Sequence, residues 1–390
     1  MINKKLIITF IILLLLLGAV VFLVLYFSKK EIPKERKFTT APPQEEKNSS
    51  PQNIVYASSI ERLIPENVIL PIPNAQDNKI LYIDRETSGI YEFDPVLRTK
   101  EKIGSPHPGN ITFASWSPDK KKVILNYENE DLPPHQNFGS DGQKFVYDLE
   151  TNQEFPLHKN IQNVIFGRNS DEIFYQFIEG VGKTKISKAD YTGLNWKNLI
   201  DYPLDNVRLG LIPNSKLIYF CPSPSAFQKT ACYSLTESGQ NLKTITQEEY
   251  GQNIKYSQNG EKILYTSTTK KGMELNLNLM DSDGTHKKYL QVNTLVEKCT
   301  FGGDNKIYCA VPEFIPTDSA MPDDYYNKKF VTDDIFWEID IEELTKTRLT
   351  EIKDFKWGNN DAINLFFLKD KKNLFFVSNG GLYVLHLENL

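Results

Sequence analysis

The stretch SQNGEKILY, residues 257–265, combines a polar turn, a lysine and a short apolar-aromatic strand. Asn and Gly tolerate the geometry of a tight turn between two antiparallel strands. The pattern recurs about every 45 residues, which is the length that four short strands and their turns consume. The other copies are PNAQDNKILY (73–82), SPDKKKVIL (117–125), GRNSDEIFY (167–175), PNSKLIY (213–219), GGDNKIYC (302–309) and KDKKNLFF (369–376).

A second turn recurs inside the repeat, since DYTGLNW (190–196) matches DSDGTHK (281–287). We interpret it as the link between the third and fourth strands of a unit. Radially arranged four-stranded blades leave only short, protected edges, whereas a solenoid of this period needs polar caps, which we do not find. The sequence therefore predicts an all-β fold, a β-propeller of seven blades, or of six if two units merge.

The last repeat provides evidence for ring closure. It contains strands for its first three positions but no fourth strand before the chain ends. The segment IVYASSIERLI, residues 54–64, precedes the first unit and has strand character. We predict that it completes the final blade.

Two of the repeats resemble a known family. SWSPDKKKV (115–123) and YSQNGEKILY (256–265) are similar to the WD-like repeats of TolB-like β-propellers, and the resemblance covers roughly residues 66–390. A single anchor followed by such a propeller is also similar to uncharacterised bacterial envelope proteins. The resemblance implies a propeller at a cell envelope.

The chain begins with a different kind of segment. Residues 6–27 are uncharged and mostly apolar, long enough to cross a bilayer core and longer than the apolar region of a cleaved signal peptide. Residues 28–52 are rich in Pro, Lys, Glu and Ser. We predict a head at 1–5, a transmembrane helix at 6–27, a disordered tether at 28–52 and the propeller at 53–390.

The orientation of this anchor rests on opposing arguments. Basic residues within 29–37 outnumber Lys4 and Lys5, which by the positive-inside rule favours a cytoplasmic domain. The short head and the placement of the cysteines favour the outside. We expect a single-pass plasma-membrane protein whose carboxyl-terminal domain is extracytoplasmic.

The four cysteines form two local pairs, Cys221 with Cys232 and Cys299 with Cys309. Each pair falls within one unit, on or beside neighbouring strands, where disulfide geometry can be met. The alternative is four buried thiols. Disulfides would indicate an oxidising compartment. The spacing is unlike that of a zinc site, and we expect no metal.

The net charge argues against nucleic acid as a partner. The chain carries −5, and residues 1–52 hold eight Lys/Arg and four Asp/Glu, so the remainder carries −9. Binding to phosphates requires a cationic surface. We therefore expect a membrane, and a protein, peptide or envelope polymer, as partners.

Three long loops are the candidate binding region. Residues 126–144, 221–232 and 311–335 each link the second and third strands of a unit, so all three should lie on one face. Aromatic faces with carboxylates suit a cationic or carbohydrate-like ligand or a basic peptide, although the loops could equally be solvated and capped by their own turns. The candidate ligand-binding residues are Glu128, Asp131, His135, Asp323, Asp324, Tyr325 and Tyr326.

No catalytic motif is apparent. The histidines are scattered, there is no G-x-S-x-G motif, and the acidic turn at 281–284 lacks the glutamate that ends an EF-hand loop. We expect no cofactor and no catalytic residues. The favoured function is a binding or scaffold module, and the alternative is a propeller lyase or hydrolase that uses acidic loop residues, with or without a divalent cation.

Overall fold

The computed structural model describes residues 60–74, 78–128, 142–204, 206–303, 305–355 and 358–387. The predicted head, transmembrane helix and tether, together with residues 53–59, lie outside these ranges. In the described part of the chain, no helix is both long and apolar enough to span a bilayer.

Within these ranges the regular structure is almost entirely strand, because short runs of β-branched, aromatic and leucine residues alternate with turns. A one-turn helix, α1 (Asp323–Tyr326), lies in the loop formed by residues 313–333. The strands are β1 (Ile60–Ile64), β2 (Val68–Asn74), β3 (Lys79–Asp84), β4 (Ile90–Asp94), β5 (Thr99–Gly104), β6 (Ile111–Trp116), β7 (Lys122–Tyr127), β8 (Gln143–Asp148), β9 (Gln153–Pro156), β10 (Ile161–Phe166), β11 (Glu172–Gly180), β12 (Lys183–Asp190), β13 (Lys197–Asp201), β14 (Val207–Leu211), β15 (Leu217–Pro222), β16 (Lys229–Thr230), β17 (Tyr233–Thr236), β18 (Lys243–Thr244), β19 (Glu249–Tyr256), β20 (Lys262–Thr268), β21 (Asn276–Asp281), β22 (Lys288–Tyr289), β23 (Cys299–Phe301), β24 (Lys306–Pro312), β25 (Asp334–Asp340), β26 (Lys346–Arg348), β27 (Ile363–Phe367), β28 (Asn373–Ser378) and β29 (Gly381–His386).

These strands form seven antiparallel sheets, one for each repeat. Blades 1 to 3 are β2–β5, β6–β9 and β10–β13; blades 4 to 6 begin with β14, β19 and β23; blade 7 begins with β27. First strands of neighbouring blades contact one another from blade 1 to blade 4 and from blade 6 through blade 7 to blade 1, so the first strands line the centre of the ring. The seven-bladed propeller is confirmed, and the six-bladed alternative is wrong because no two units merge.

The ring closes through β1, which is the outer strand of blade 7. It pairs antiparallel with β29, with Ile60 opposite Leu385 and Glu61 opposite Val384. Ile64, at the end of β1, is buried. The predicted completion of the last blade by a segment that precedes the first unit is thus confirmed.

The recurrent second turn has a common hydrogen-bond scheme. At the end of the third strand, the carboxylates of Asp94, Asp148, Asp190 and Asp340 accept backbone N–H groups two to four residues further on. A short acidic side chain that satisfies its own turn favours this geometry. These turns link third and fourth strands, as predicted.

The core lies between adjacent blades, because each sheet is covered on both faces. The middle strands therefore contain continuous apolar runs rather than alternating patterns, such as Val123–Leu125 in β7, of which every residue is buried. Aromatic side chains fill the wider gaps. Phe376, for example, lies between Phe336 of blade 6 and Tyr383 of its own blade, with ring centroids 4.7 and 5.5 Å away.

Both predicted disulfides are present. Cys221 on β15 is bonded to Cys232, which precedes β17, and their Cα atoms are 4.4 Å apart. Cys299 and Cys309 are direct partners on β23 and β24, with Cα atoms 4.1 Å apart. All four side chains are buried.

Candidate functional site

The long links between the second and third strands of blades 4 and 6 lie on one face of the propeller, as predicted, whereas the predicted loop of blade 2 lies largely outside the described residues. In blade 4 this link contains β16, which was not predicted and which pairs with β19, the first strand of blade 5. In blade 6 it contains α1. The loop of one blade therefore becomes part of the next blade at the mouth of the central channel.

Three neighbouring loops on this face, residues 223–232, 269–275 and 313–333, form one bonded unit that we name the loop platform. The carbonyl of Ala226 accepts the Lys271 N–H at 2.8 Å, and the carbonyl of Gly272 accepts the Met321 N–H at 3.3 Å. Each loop thus satisfies backbone groups of its neighbour, which restricts its conformation.

Asp323 links the first and last loops of the platform. Its Oδ2 accepts the Ala226 N–H at 2.6 Å, and its Oδ1 lies 3.4 Å from the Ser225 hydroxyl. Asp324 instead caps its own loop, accepting the Ala320 N–H at 2.8 Å and pairing with Lys329 at 2.6 Å. Both carboxylates are engaged within the protein.

Beneath the platform is a small apolar core that supports α1. Leu275, Leu295 and Met321 are buried together, and Tyr325 and Tyr326 pack against them. Loops of blades 5 and 6 contribute to this core. The two tyrosines therefore have fixed positions above the channel.

Tyr326 lies at the channel mouth in a group of side chains that come from three blades. Its hydroxyl donates to Glu297, and burial, together with that carboxylate, raises the pKa of Tyr326. Glu297 also accepts from Asn253 of β19 at 3.1 Å. The guanidinium of Arg208, on β14, lies over the Tyr326 ring, 4.9 Å from its centroid.

Lys255 lies two residues beyond Asn253 on β19 and points toward blade 6. Its Nζ donates to the carbonyl of Cys299 at 2.6 Å. Burial lowers the pKa of Lys255 to about 8, and Glu297 opposes this shift. We name Arg208, Asn253, Lys255, Glu297 and Tyr326 the mouth cluster.

Tyr325 belongs to a separate ionic group between blades 6 and 7. Lys298 is fully buried and pairs with Asp334 at 2.6 Å and Asp361 at 2.5 Å. The Tyr325 hydroxyl donates to Asp361 at 2.8 Å, and its ring centroid is 5.0 Å from the Lys298 amine. Burial raises the pKa of Asp334 despite the adjacent amine.

The remaining candidate residues belong to the loop of blade 2. Glu128 directly follows β7 and accepts a hydrogen bond from the Asn110 side chain. Asp131 and His135 lie outside the described residues. The structure thus brings Asp323, Tyr325 and Tyr326 together with blades 4 to 7, while Glu128 is bonded within blade 2.

Sequence reasoning missed Arg208, Lys255 and Glu297. The first two occupy first strands, VRLGL and NIKY, whose counterparts in other units carry apolar or small polar side chains. A cation inside a strand that lines the channel is the signal that could have identified them. Glu297 precedes a strand of only three residues, β23, and gives no comparable signal.

The platform also exposes large apolar side chains. Phe227 is 63% exposed and Phe314 is 67% exposed, and Met273 and Val331 are exposed as well. They come from all three loops of the platform. Clustered apolar groups beside a polar mouth are typical of sites that bind another molecule.

Among the described residues, no group of three or more His, Cys, Asp or Glu side chains is arranged to hold a metal ion. In the acidic turn, Asp281 pairs with Lys262 at 2.6 Å and with His286 at 2.7 Å. Asp283 accepts from the Thr285 hydroxyl at 2.5 Å. The oxygens of this turn are used to hold the turn itself.

No protein-family model matches the sequence, and no curated protein matches it. Solved propeller structures do match the fold. An oligogalacturonate lyase in complex with manganese superposes with a TM-score of 0.58 at 12% identity, covering 86% of this chain and 96% of that one. A second oligogalacturonate lyase, from Vibrio parahaemolyticus, gives 0.56 at 12% identity over 84% and 94%.

TolB from Acinetobacter baumannii is also similar, with a TM-score of 0.46 at 13% identity over 74% of this chain and 65% of that one. At such identities the likeness concerns the fold alone. The seven sheets define the class of this protein as a seven-bladed β-propeller.

Proposed function

We propose that this protein is a membrane-anchored, extracytoplasmic binding module that recognises a partner protein, peptide or envelope polymer through the loop platform. The apolar segment at residues 6–27 supports the anchor. The two disulfides favour an oxidising compartment. Fold similarity does not determine function, so the proposal depends on the site.

The observation that carries the proposal is the bonding of the loop platform. Backbone bonds and Asp323 join its three loops, and the Cys221–Cys232 and Cys299–Cys309 disulfides fix the strands beside two of them. Flexible loops lose entropy when they bind a partner, and rigid loops avoid this cost. A rigid, partly apolar surface over a channel suits recognition.

Site-specific photocrosslinking in intact cells tests this function. A photoreactive phenylalanine analogue replaces Phe227 or Phe314 in the full-length protein, and the control positions are Leu194 and Trp196, equally exposed but on the opposite face. We expect discrete crosslinked species from the platform positions. Crosslinks restricted to Leu194 and Trp196 would contradict the proposal, as would an absence of platform crosslinks.

Thiol labelling tests the compartment separately. With a membrane-impermeant reagent on intact cells, the cysteines should label only after reduction and denaturation of the exposed domain. Labelling that requires cell lysis, without prior reduction, would place the propeller in the cytoplasm and would move the search for partners there.

A further inference from the structure

The mouth cluster holds two cations that lack a carboxylate partner. Among the described residues, neither Arg208 nor Lys255 has an acidic oxygen within ion-pair distance; Arg208 contacts Tyr326, and Lys255 donates to the carbonyl of Cys299. The carboxylate of Glu297 acts electrostatically on both cations. Its two oxygens are already bonded to Tyr326 and Asn253.

The neighbouring ionic group does not supply the missing carboxylate. Asp334 and Asp361 are both bonded to Lys298. Asp323 of the platform is bonded to Ala226. Two partly buried cations beside one fully engaged carboxylate leave positive charge at the mouth. An incoming anion would compensate it without displacing an existing ion pair.

The chemistry of the two cations favours a carboxylate. A guanidinium stacked on an aromatic ring keeps N–H donors at its edge that match a carboxylate, and an amine adds a further donor. Arg208 and Lys255 each keep part of their surface exposed. The apolar side chains Phe227 and Phe314 lie on the platform above and suit the residues that flank an acidic side chain in a peptide.

We propose that Arg208 and Lys255 form an anion site at the channel mouth that receives the acidic side chain of a peptide whose neighbouring apolar residues rest on the loop platform. This inference rests on the proposed binding function and names its ligand class. It reverses the charge expected from the sequence, where the acidic loops suggested a cationic ligand. The reversal follows from the internal bonds of Asp323 and Asp324.

Peptide selection with the full-length protein in lipid nanodiscs tests the site. Random phage-displayed heptapeptides are selected against the wild type, against R208Q/K255Q, and against K197Q/K216Q, which removes two exposed lysines on the opposite face. Selected peptides are then compared with their Glu→Gln versions by fluorescence anisotropy. The conservative variant R208K/K255R and thermal unfolding of all variants control for loss of folding.

We expect an acidic residue between apolar ones to be enriched on the wild type, on K197Q/K216Q and on R208K/K255R, and not on R208Q/K255Q. The Glu→Gln change in the peptide should weaken binding to the wild type about tenfold. It should leave binding to R208Q/K255Q unaffected, because that variant already lacks the cations with which the peptide carboxylate interacts.

Acidic preference that persists on R208Q/K255Q would overturn the anion site, and so would selected peptides without any acidic preference, although the binding function would stand. Failure to enrich any peptide on the wild type would count against peptide recognition itself. A parallel arm offers biotinylated polygalacturonate, and its retention in the absence of enriched peptides would replace the peptide with an acidic polymer.

Discussion

Lys298 carries its charge into the gap between blades 6 and 7. Its amine lies between Asp334 and Asp361 and also donates to the Thr332 hydroxyl at 2.9 Å. Removing one partner of a buried pair leaves the other charge without compensation, whereas exposed pairs contribute little. Loss of either member should therefore destabilise the fold strongly, because it leaves a buried charge uncompensated.

We expect Lys298→Met to lower the free energy of unfolding by about 3–5 kcal/mol in urea titrations. The control is Lys262→Met, which breaks the exposed pair with Asp281 and should cost about 1 kcal/mol or less. Adding Asp334→Asn to Lys298→Met should recover part of the loss. Equal effects of the two lysine variants would show that burial does not set the strength of this pair.

Lys255 predicts a pH dependence of stability. Burial lowers its pKa in the folded protein from 10.5 to about 8. Between these values the unfolded chain binds more protons, so the free energy of unfolding rises with pH through this window. As pH falls through about 8, the folded protein must also bind the proton and hold a poorly solvated charge. The extra stability that is present at high pH is then lost.

The difference in free energy of unfolding between Lys255→Met and the wild type should therefore be largest near neutral pH. It should shrink by about 2 kcal/mol as pH is raised to about 9.5. Urea titrations at a series of pH values measure it, and Lys197→Met, at an exposed position, should show no such trend. A constant difference for Lys255→Met would mean that the amine is solvated in the folded state.

In the loop platform, the side-chain bond between the first and last loops depends on a single carboxylate. Asp323 begins α1 and accepts the Ala226 N–H, 97 residues earlier in the chain. A hydrogen bond to a charged group contributes more than one between neutral groups. Its loss should loosen the platform without affecting the blades, whose backbone bonds are independent of it.

We expect Asp323→Ala to increase amide hydrogen exchange in residues 223–232 about tenfold, while exchange in the middle strands stays unchanged. The control is Asp318→Ala, an exposed acid of the same loop. Hydrogen-exchange mass spectrometry gives both values. Uniform acceleration across the blades would instead assign Asp323 a global structural role.

Local sequence patterns were sufficient to predict the blades, but they did not predict the contacts of the candidate site. The turns that begin at Ser257 or Asp190 are satisfied by their own side chains, so a short pattern is enough to recognise them. The bond between Asp323 and Ala226 joins loops of different blades and has no local pattern. The sequence does not distinguish an acidic loop residue that binds a ligand from one that accepts a hydrogen bond from a backbone amide.

The mouth cluster also lacks a local sequence pattern, because it forms only in the complete ring. Arg208, Lys255 and Glu297 come from consecutive units, each separated by about one repeat length. They meet only because the first strands of the blades line one channel. The order of the strands was predictable from the sequence, but the side chains that the ring brings together depend on how each inner strand is rotated.

Closure of the ring is the feature that depends on the whole chain. β1 and β29 are separated by the entire propeller sequence, and their pairing places Glu61 opposite Val384. Directly opposed residues of antiparallel strands bring their side chains to one face of the sheet, close enough for a disulfide. A crosslink there would join the two ends of the propeller.

We therefore expect Glu61→Cys/Val384→Cys to oxidise readily in the full-length protein and to migrate faster on non-reducing gels, because the denatured chain then contains one very large loop. A disulfide closing so long a loop should stabilise the fold by up to about 5 kcal/mol. The control, Arg62→Cys/Val384→Cys, shifts the pair by one residue, so the two side chains lie on opposite faces and should not crosslink. Preferential crosslinking of the control would mean that the closing strand is paired in another register. Neighbouring residues of a strand face opposite sides of the sheet, so the two variants distinguish the two registers.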